Sequence, residues 1–376
     1  MNPRSQADDT ENSSPVWILL GHKAGDNNQV TALAESLGVP FEAKHLRYRA
    51  TELITNVLRG PTLAGIPRRY RQQLTPPWPR LVISAGRRNE PVARWIRRQA
   101  DEPVRLVHVG RPWARPDRFD LIVATPQYAL DGYPNVIALD LPLHRISEAR
   151  LADAAEEWRS RLGSLPEPRI AVLVGGDSGP FQLDPGKASC LARDATRLAE
   201  SLNGSLMVTT SARTPPAAAQ SLCQSLTGQH YFFQWRPDGR DNPFLAFLAL
   251  ADRFVVTGES MSMLAEACAT RRPVYIFDMR DSCSDVHGSG GTGRLREQLR
   301  RIRSALRYRS VTHRVAQNIA PRRLRRDVGR MHVRLVKSGR AVFLGETFPD
   351  SGPPPLPDTQ AATKRVLELL TGSRSR

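Results

Sequence analysis

One segment of the C-terminal half combines residue types that suit a phosphate-bearing ligand. An apolar run ends at Gly258, two serines follow at 260 and 262, and a helical pattern begins. Helix N-termini present unpaired N–H groups and a partial positive charge, which favours anions, and Ser260 and Ser262 add hydroxyl donors. Glu266 lies four residues after Ser262, about 6 Å further along the same helix face, where a carboxylate would accept the ribose hydroxyls of a nucleotide. The alternative is that the serines only cap the helix and Glu266 is solvated.

Two further apolar runs of the same half end in comparable residues. Small residues follow the first run, and small residues let a backbone approach a ligand closely. Hydroxyls and an arginine follow the second, and an arginine binds phosphate bidentately. Because the carboxyl ends of parallel strands face one crevice, all three ends are predicted to form one donor site. The additional candidates are Gly175, Gly176, Ser178, Thr210, Ser211 and Arg213.

The N-terminal half offers candidates for the second partner of a transfer reaction. His22 and Asp26 follow the first apolar run and are the titratable groups that could act as a general base. A histidine in such a loop is more often structural or solvated. Basic residues also follow strands of this half, where they would receive an anionic acceptor or simply form basic turns. They are Lys23, Arg87, Arg88 and Arg111.

Apolar runs alternate with helical patterns along most of the chain, which predicts parallel sheets covered on both faces. The predicted strands are Val16–Leu20, Leu81–Ser84, Val104–Val109, Leu121–Ala124, Val136–Leu139, Ile170–Val174, Leu206–Thr209, Tyr231–Gln234, Phe254–Val256 and Val274–Phe277. The predicted helices are Gln29–Leu37, Pro91–Gln99, Glu148–Leu162, Gly186–Leu202, Pro215–Leu226, Pro243–Ala251, Met261–Thr270 and Thr359–Leu370. The expected fold class is α/β, with two Rossmann-like domains facing a cleft.

This pattern predicts four regions. Residues 1–14 form a polar, disordered leader, and 15–150 an N-terminal Rossmann-like acceptor domain. A hinge at Pro166–Pro168 leads to a C-terminal nucleotide-sugar domain over 166–350, and 351–376 are a Pro-rich linker with a terminal helix.

The chain is strongly basic, with a formal charge of +17 over 376 residues. Most of the excess lies in segment 294–340, which has 16 Arg or Lys and two acids, and a basic stripe at Arg296, Arg300, Arg303 and Arg307. Such a block predicts binding to an anionic membrane surface. Nucleic acid is not favoured, because aromatic residues make up only 6% and no recognised motif is present.

We expect neither a metal nor a cofactor. No Asp-x-Asp pair or Cys-x-x-Cys pair occurs. The glycine-rich stretch Gly288–Gly293 lacks the strand and the acid that a dinucleotide fingerprint requires, so a mobile loop is expected there. No signal peptide or transmembrane run is apparent, which favours a cytoplasmic location, with peripheral attachment to the inner face of a membrane.

The ordered set of these motifs resembles the bacterial branch of the mitochondrial fission "elongate mitochondria" family, from about Val16 to Phe277. The motifs are Gly21-x-Lys23-Ala24-Gly25-Asp26-x-Asn28-Gln29, Ser84–Arg88, His108–Pro112, Gly175–Ser178, Thr209-Thr210-Ser211-x-Arg213-Thr214-Pro215 and Thr257-Gly258-Glu259-Ser260-x-Ser262-Met263. The resemblance implies a GT-B-like fold, similar to the glycosyltransferase that adds N-acetylglucosamine to the lipid-linked peptidoglycan precursor. It implies that Gly258, Ser260, Ser262 and Glu266 hold the donor nucleotide and that Arg213 lies near the diphosphate.

Two functional hypotheses follow. The first is a metal-independent GT-B-type glycosyltransferase with a nucleotide-diphosphate sugar as donor and a lipid-linked or envelope glycan as acceptor. The second is a non-catalytic, membrane-associated adaptor that binds a protein partner, since plant members of the family bring a dynamin-like protein to mitochondria. The polar strand ends favour the transferase, because an adaptor would not need them.

Overall fold

A computed structural model describes residues 15–49, 60–130, 132–280, 327–354 and 360–372. The chain forms two compact units. Among the described residues, the first comprises those up to 145 and 360–372, and the second 146–280 and 327–354. The leader, the stretch Gly288–Gly293 and positions 294–326 of the basic segment lie outside the described residues, as do the four stripe arginines.

The first unit contains a parallel six-stranded sheet in the order β2-β1-β3-β4-β5-β6. Its strands are β1 (Val16–Leu20), β2 (Phe41–His45), β3 (Leu81–Ala85), β4 (Arg105–Val109), β5 (Leu121–Ala124) and β6 (Val136–Ala138). Its described α-helices are α1 (Ala24–Ser36), α2 (Arg68–Arg71), α3 (Gly86–Gln99) and, from the C-terminal end of the chain, α10 (Gln360–Thr371).

The second unit repeats this plan, with a parallel six-stranded sheet in the order β12-β11-β10-β7-β8-β9. Its strands are β7 (Arg169–Leu173), β8 (Ser205–Thr209), β9 (His230–Phe233), β10 (Arg253–Thr257), β11 (Val274–Phe277) and β12 (Ala341–Phe343). Its described α-helices are α4 (Glu148–Leu162), α5 (Pro185–Ser201), α6 (Pro216–Ser225), α7 (Phe244–Leu250), α8 (Met261–Ala269) and α9 (Val328–Lys337).

The continuous apolar runs form central strands because both faces of each sheet are covered. Every residue of β3 is buried, and in the first unit successive strand residues belong to two separate core clusters. Strands buried on both faces are typical of parallel α/β sheets, so the predicted α/β fold with two Rossmann-like sheets is confirmed.

The terminal helix α10 is part of the first unit. Ala362, Val366 and Leu370 are buried in the core cluster that includes Leu33 of α1, and the Arg80 guanidinium donates to the Leu370 carbonyl at 2.8 Å. Helix α10 therefore packs on the core of the first unit.

Helix α4 is part of the second unit, because the division between the units falls at 145/146. The reason is aromatic packing: Trp158 of α4 meets Tyr231 edge-on with ring centroids 6.3 Å apart, and Tyr231 meets Phe247 at 6.1 Å. Packing on β9 and α7 fixes α4 to the second sheet.

The ten predicted strands are all present, with end points that differ by no more than one residue. Strands β2 and β12 were not predicted. Strand β2 is an edge strand with only Lys44 buried, so its sequence lacks the apolar run on which the prediction relied. No helix among the described residues is long and apolar enough to cross a membrane.

Candidate functional site

The predicted donor residues gather where the strand order of the second sheet reverses. Strands β7 and β10 are neighbours, and the chain leaves β7 toward β8 on one side and reaches β10 on the other. Such a switch point opens a crevice at the carboxyl ends of the strands, where ligands of open α/β sheets bind. The loops after β7, β8 and β10 carry the predicted motifs at this edge.

Glu259, which the prediction of site residues omitted, lies at the centre of this edge. Its side chain is fully buried, and Oε1 accepts the backbone N–H of Gly176 at 2.7 Å and lies 3.5 Å from Nη2 of Arg213. Burial raises the pKa of this carboxyl, while Arg213 and the Gly176 N–H oppose the rise. Glu259 therefore links the ends of all three strands.

The glycines after β7 pack against this carboxylate. The Gly175 N–H donates to Thr257 Oγ1 at 2.8 Å, so both glycine N–H groups already have partners. A Cβ on Gly175 would lie 1.9 Å from Glu259 Oε1, and one on Gly176, whose φ is +139°, would lie 2.2 Å from the Arg213 carbonyl oxygen. Close packing against Glu259 and Arg213 thus requires glycine at both positions.

The side chain of Arg213 contacts residues of the loops after β7 and β10. Its Nη2 donates to Ser260 Oγ at 3.2 Å, and its Nη1 donates to the Asp177 carbonyl at 3.4 Å. The side chain keeps 39% of its surface exposed. The guanidinium is therefore held in place by the three loops and still has an accessible face for an anion.

The remaining hydroxyls differ in their hydrogen-bond partners. Ser211 and Thr214 both donate to the Gly175 carbonyl, and Thr210 Oγ1 accepts the Trp235 N–H at 2.9 Å. Ser260 is the N-cap residue of α8, and its hydroxyl makes no capping bond to the helix. Ser260 Oγ accepts instead from the Arg213 side chain, and Ser211 Oγ also accepts the Arg213 backbone N–H at 3.2 Å.

The other predicted donor residues lie nearby in the fold without a hydrogen bond that ties them to Arg213. Ser178 and Ser262 are half-buried, on the loop after β7 and in the first turn of α8. Glu266 is half-buried further along α8, where burial raises the pKa of its carboxyl to about 7 against the opposing charge of Arg150.

Gly258 is fixed by a second residue that sequence inspection missed. The buried His332 of α9 places Nε2 2.6 Å from the Gly258 carbonyl, while the Gly258 N–H donates to the Phe277 carbonyl at 2.9 Å. The carbonyl is an acceptor, so Nε2 carries the proton. A Cβ on Gly258 would lie 2.8 Å from His332 Cε1, which explains the need for glycine here.

In the first unit, the predicted base candidates also lie at a reversal of strand order, between β1 and β3. Asn27 fixes the turn by bonding both the N–H and the carbonyl of Gly21 at 2.9 Å. Asp26 lies 3.9 Å from Lys23, and its carboxylate approaches the first residue of α3. Burial lowers the pKa of His22, helped by Arg88 and other nearby cations and opposed by Asp26.

The predicted acceptor-side arginines are at the same edge. Arg87 and Arg88 form the first turn of α3, which begins at Gly86, so they are helical and not part of a basic turn. Arg111 follows β4, the neighbour of β3. The structure thus brings His22 together with Lys23, Asp26, Arg87 and Arg88. The charges of these four residues all affect the pKa of His22.

In the part of the chain that the structure describes, no group of three or more His, Cys, Asp or Glu side chains is arranged to hold a metal ion.

Comparison with known proteins places the chain in a family. The family model described as "Mitochondrial fission ELM1" matches residues 24–370. The chain belongs to the mitochondrial fission ELM1 family. The mitochondrial fission protein ELM1 of Arabidopsis thaliana is 29% identical over 238 residues, which cover 56% of this chain and 54% of the plant protein. The chain thus spans about half the length of this relative.

Solved structures similar to this ELM1-family chain include nucleotide-sugar enzymes. The UDP-GlcNAc 2-epimerase of Methanocaldococcus jannaschii, solved with UDP-GlcNAc and UDP, has a TM-score of 0.51 at 12% identity, covering 95% of this chain and 99% of that one. The E. coli ADP-heptose LPS heptosyltransferase II has a TM-score of 0.44 at 13% identity, covering 70% of this chain and 84% of that one. The epimerase likeness shows a shared GT-B-like α/β fold, and at this identity it concerns the fold alone.

Proposed function

We propose that this protein is a metal-independent, GT-B-type glycosyltransferase. Its second unit would hold a nucleotide-diphosphate sugar, and its first unit would bind the acceptor, a lipid-linked or envelope glycan. The observation that carries the proposal is the Glu259–Arg213–Ser260 cluster at the switch point of the second sheet. Burying the Glu259 carboxylate carries a desolvation cost, and the arginine that it fixes keeps 39% of its side chain exposed, where an anion can reach it.

On the donor side, Arg213 and the N-terminus of α8 would stabilise the diphosphate as it leaves. Negative charge grows on the leaving group in the transition state, and donors fixed beforehand stabilise that charge without reorganising. The contacts of Arg213 with Ser260 and Asp177 supply such preorganisation. Glu266, five residues after the first residue of α8, would accept the ribose hydroxyls once deprotonated.

On the acceptor side, His22 would remove the proton from the attacking hydroxyl. Its pKa is lowered, so the imidazole is neutral at physiological pH and available as a base. Asp26 is the other candidate, but its carboxylate already faces Lys23 and the start of α3. Its negative charge raises the pKa of His22 and so makes the imidazole a stronger base.

Basic residues would hold the enzyme on the cytoplasmic, inner face of an anionic membrane. In the described part of segment 294–340, Arg330, Arg334 and Lys337 are exposed at helical spacing on one face of α9, together with the exposed Val333. Each basic residue near such a surface contributes about 1 kcal/mol, so the whole segment would suffice without a lipid anchor.

The donor site is tested by thermal shift of the purified chain with UDP, ADP and their sugars. We expect at least one nucleotide diphosphate to raise the melting temperature of the wild type. Arg213→Ala should weaken its affinity by about 10- to 100-fold, the range for lost hydrogen bonds to a charged group. The matched control is Arg197→Ala, an exposed arginine of α5 paired with Asp194.

Equal nucleotide affinity in the wild type and Arg213→Ala would show that the donor site does not include Arg213. Nucleotide binding without glycosyl transfer to any acceptor would instead leave the adaptor hypothesis.

Membrane association is tested by sedimentation with anionic vesicles at low and high salt. The triple variant Arg330→Gln, Arg334→Gln, Lys337→Gln should bind more weakly than a control with three other exposed arginines replaced by glutamine. The control positions are Arg98, Arg159 and Arg197.

A further inference from the structure

The end of strand β2 and the short helix α2 form a strongly basic surface on the first unit. Segments 45–49 and 60–75 carry five arginines and neither an Asp nor a Glu, and the residues between them add Glu52 and Arg59, whose charges cancel. Four of the five arginines are exposed. We call these four the β2–α2 arginines, and they are Arg47, Arg49, Arg68 and Arg69.

Two hydrogen bonds hold the two segments side by side. The Arg49 N–H donates to the Gly65 carbonyl at 3.1 Å, and the side-chain amide of Gln73 donates to the His45 carbonyl at 2.7 Å. The two exposed arginines of α2 lie within four residues of Gly65 in sequence. The β2–α2 arginines therefore belong to one continuous part of the surface.

Acidic side chains do not neutralise this part of the surface. Within the described part of the chain, none of the β2–α2 arginines forms an ion pair. Other exposed arginines of the same unit do, since Arg115 lies 3.0 Å from Asp117 and Arg365 lies 2.7 Å from Glu368. Arg71, the fifth arginine, instead donates to two backbone carbonyls just before α2, at 2.7 and 3.3 Å. Arg71 thus fixes the turn, whereas the β2–α2 arginines keep their charge available to an external anion.

The basic surface adjoins the candidate acceptor edge of the same unit. Tyr48, which lies between two of the β2–α2 arginines, donates its hydroxyl hydrogen to Asn89 Oδ1 of α3. A Cβ on Gly21 would lie 3.4 Å from the same Asn89 oxygen. Because Gly21 directly precedes His22, the segment that carries the arginines lies beside the loop of the candidate base.

The residue types favour an anionic bilayer over a nucleic acid as the partner. Proteins that bind single strands stack bases on exposed aromatic rings, and readers of duplex DNA insert a helix or a β-ribbon into the major groove. The exposed large apolar side chains of the described residues are Trp113, Tyr133 and Val333, all outside this surface, and α2 has only four residues. Arginines on short, exposed segments instead suit a lipid surface, where many phosphate groups are within reach and no shaped groove is needed.

We infer that the β2–α2 arginines form a second membrane-contact surface, which binds the headgroup phosphates of anionic phospholipids. This surface is separate in sequence from segment 294–340, and it belongs to the unit that is proposed to bind the acceptor. The inference goes beyond the proposed function, because binding to lipid requires no transfer activity. If the protein is the proposed glycosyltransferase, the surface holds the loop of His22 close to the membrane that carries a lipid-linked acceptor.

The experiment is sedimentation of the full chain, at low salt, with phosphatidylcholine vesicles that contain phosphatidylglycerol. The test variant replaces all four β2–α2 arginines by glutamine. It should weaken vesicle binding by about 100-fold or more, because each basic residue at such a surface contributes about fivefold. The double variant Arg68→Gln, Arg69→Gln leaves the β2 segment intact and should weaken binding by about 30-fold.

The matched control replaces four other exposed arginines of the first unit by glutamine and should keep most of the binding. The control positions are Arg98, Arg115, Arg118 and Arg365. Equal losses in the test and control variants would overturn the surface in favour of diffuse charge attraction, and so would absence of vesicle binding by the wild type. Binding of RNA or duplex DNA that falls in the test variant, with vesicle binding unchanged, would assign the surface to nucleic acid instead.

Nucleotide titration separates this surface from the donor site. The affinity for UDP or ADP should be the same in the test variant and the wild type, because the β2–α2 arginines belong to the other unit. A chain that binds vesicles through these arginines but binds no nucleotide would support the surface and refute the proposed function. A test variant that binds vesicles as tightly as the wild type would refute the surface and leave the proposed function in place.

Discussion

Gly176 donates its backbone N–H to Glu259 Oε1 at 2.7 Å, across the ends of β7 and β10. The contact joins two strands that are neighbours in the sheet but lie 83 positions apart in sequence. It closes the floor of the switch-point crevice with a buried carboxylate, and Arg213 covers that carboxylate from the solvent side. In the proposed donor site, a charge that would by itself repel a phosphate holds in place the arginine that would attract it.

This arrangement predicts different effects for two substitutions of Glu259. Glu259→Gln keeps an oxygen for the Gly176 N–H but removes the charge that faces Arg213, so we expect a modest loss of stability and a clear loss of nucleotide affinity. Glu259→Ala also leaves the N–H without its acceptor in the interior, and should lower the free energy of unfolding by about 2–4 kcal/mol. Denaturant unfolding and nucleotide titration measure the two effects. Similar stabilities for both variants would contradict this role of the carboxylate.

The central strands of both sheets could be predicted from sequence because short, mostly apolar runs of three to six residues are typical of buried strands. The edge strand β2 could not, since four of its five residues are only partly buried or exposed. Helix α3 was predicted to begin at Pro91, yet it begins at Gly86, because the polar first turn faces the sheet edge rather than the core. The local sequence pattern therefore identified the strands and helices but not all of their end points.

The donor site was only partly predictable for a related reason. The loops after β7, β8 and β10 could be placed at one edge from strand order alone. Glu259 was overlooked because an acid beside two serines usually indicates a solvated loop, and only the tertiary structure shows that it is buried. His332 lies 74 positions from Gly258, so no local spacing could connect them.

The packing of His332 against Gly258 predicts a non-additive pair of substitutions. Gly258→Ala should destabilise the chain, because the new Cβ would be 2.8 Å from the imidazole. His332→Ala should also destabilise it, by loss of the hydrogen bond and by the cavity that it leaves. In the double variant, the cavity left by the imidazole admits the new methyl group. The double variant should therefore lose less free energy of unfolding than the two single variants lose together, by about 1 kcal/mol or more. Strict additivity in denaturant unfolding would show that the two residues do not interact.

Glu266 should make stability depend on pH in a definite direction. Burial raises the pKa of its carboxyl from the usual value near 4.5 to about 7, so the folded state holds this proton over a range in which the unfolded state releases it. Stability is therefore lost as pH rises from about 4.5 to about 7 and is constant above that range. Glu266→Gln removes this loss and should stabilise the chain by about 1–3 kcal/mol at pH 8, with little effect near pH 4.

The measurement is the melting temperature of the wild type and Glu266→Gln at both pH values. If Glu266 also accepts the ribose hydroxyls, nucleotide affinity of the wild type should rise through pH 7, and Glu266→Gln should bind more weakly than the wild type above pH 7 and approach it at lower pH. An affinity that is unchanged by the substitution would separate Glu266 from the nucleotide while leaving the stability result intact.

His22 offers a test of the acceptor side. Burial and the neighbouring Arg88 and Lys23 lower the pKa of its imidazole below 6.5, whereas Asp26 raises it. Because the folded state disfavours the imidazolium, we expect the transfer rate to be independent of His22 protonation at pH 7 and to fall only at a pH below the ordinary histidine value of 6.5. Asp26→Asn removes the opposing charge and should move the titration of His22 to lower pH. Nuclear magnetic resonance of the imidazole protons, assigned with His22→Gln, follows both titrations directly. A higher pKa in Asp26→Asn would contradict the charge relationship, and an unchanged transfer rate in His22→Gln would exclude this residue as the base.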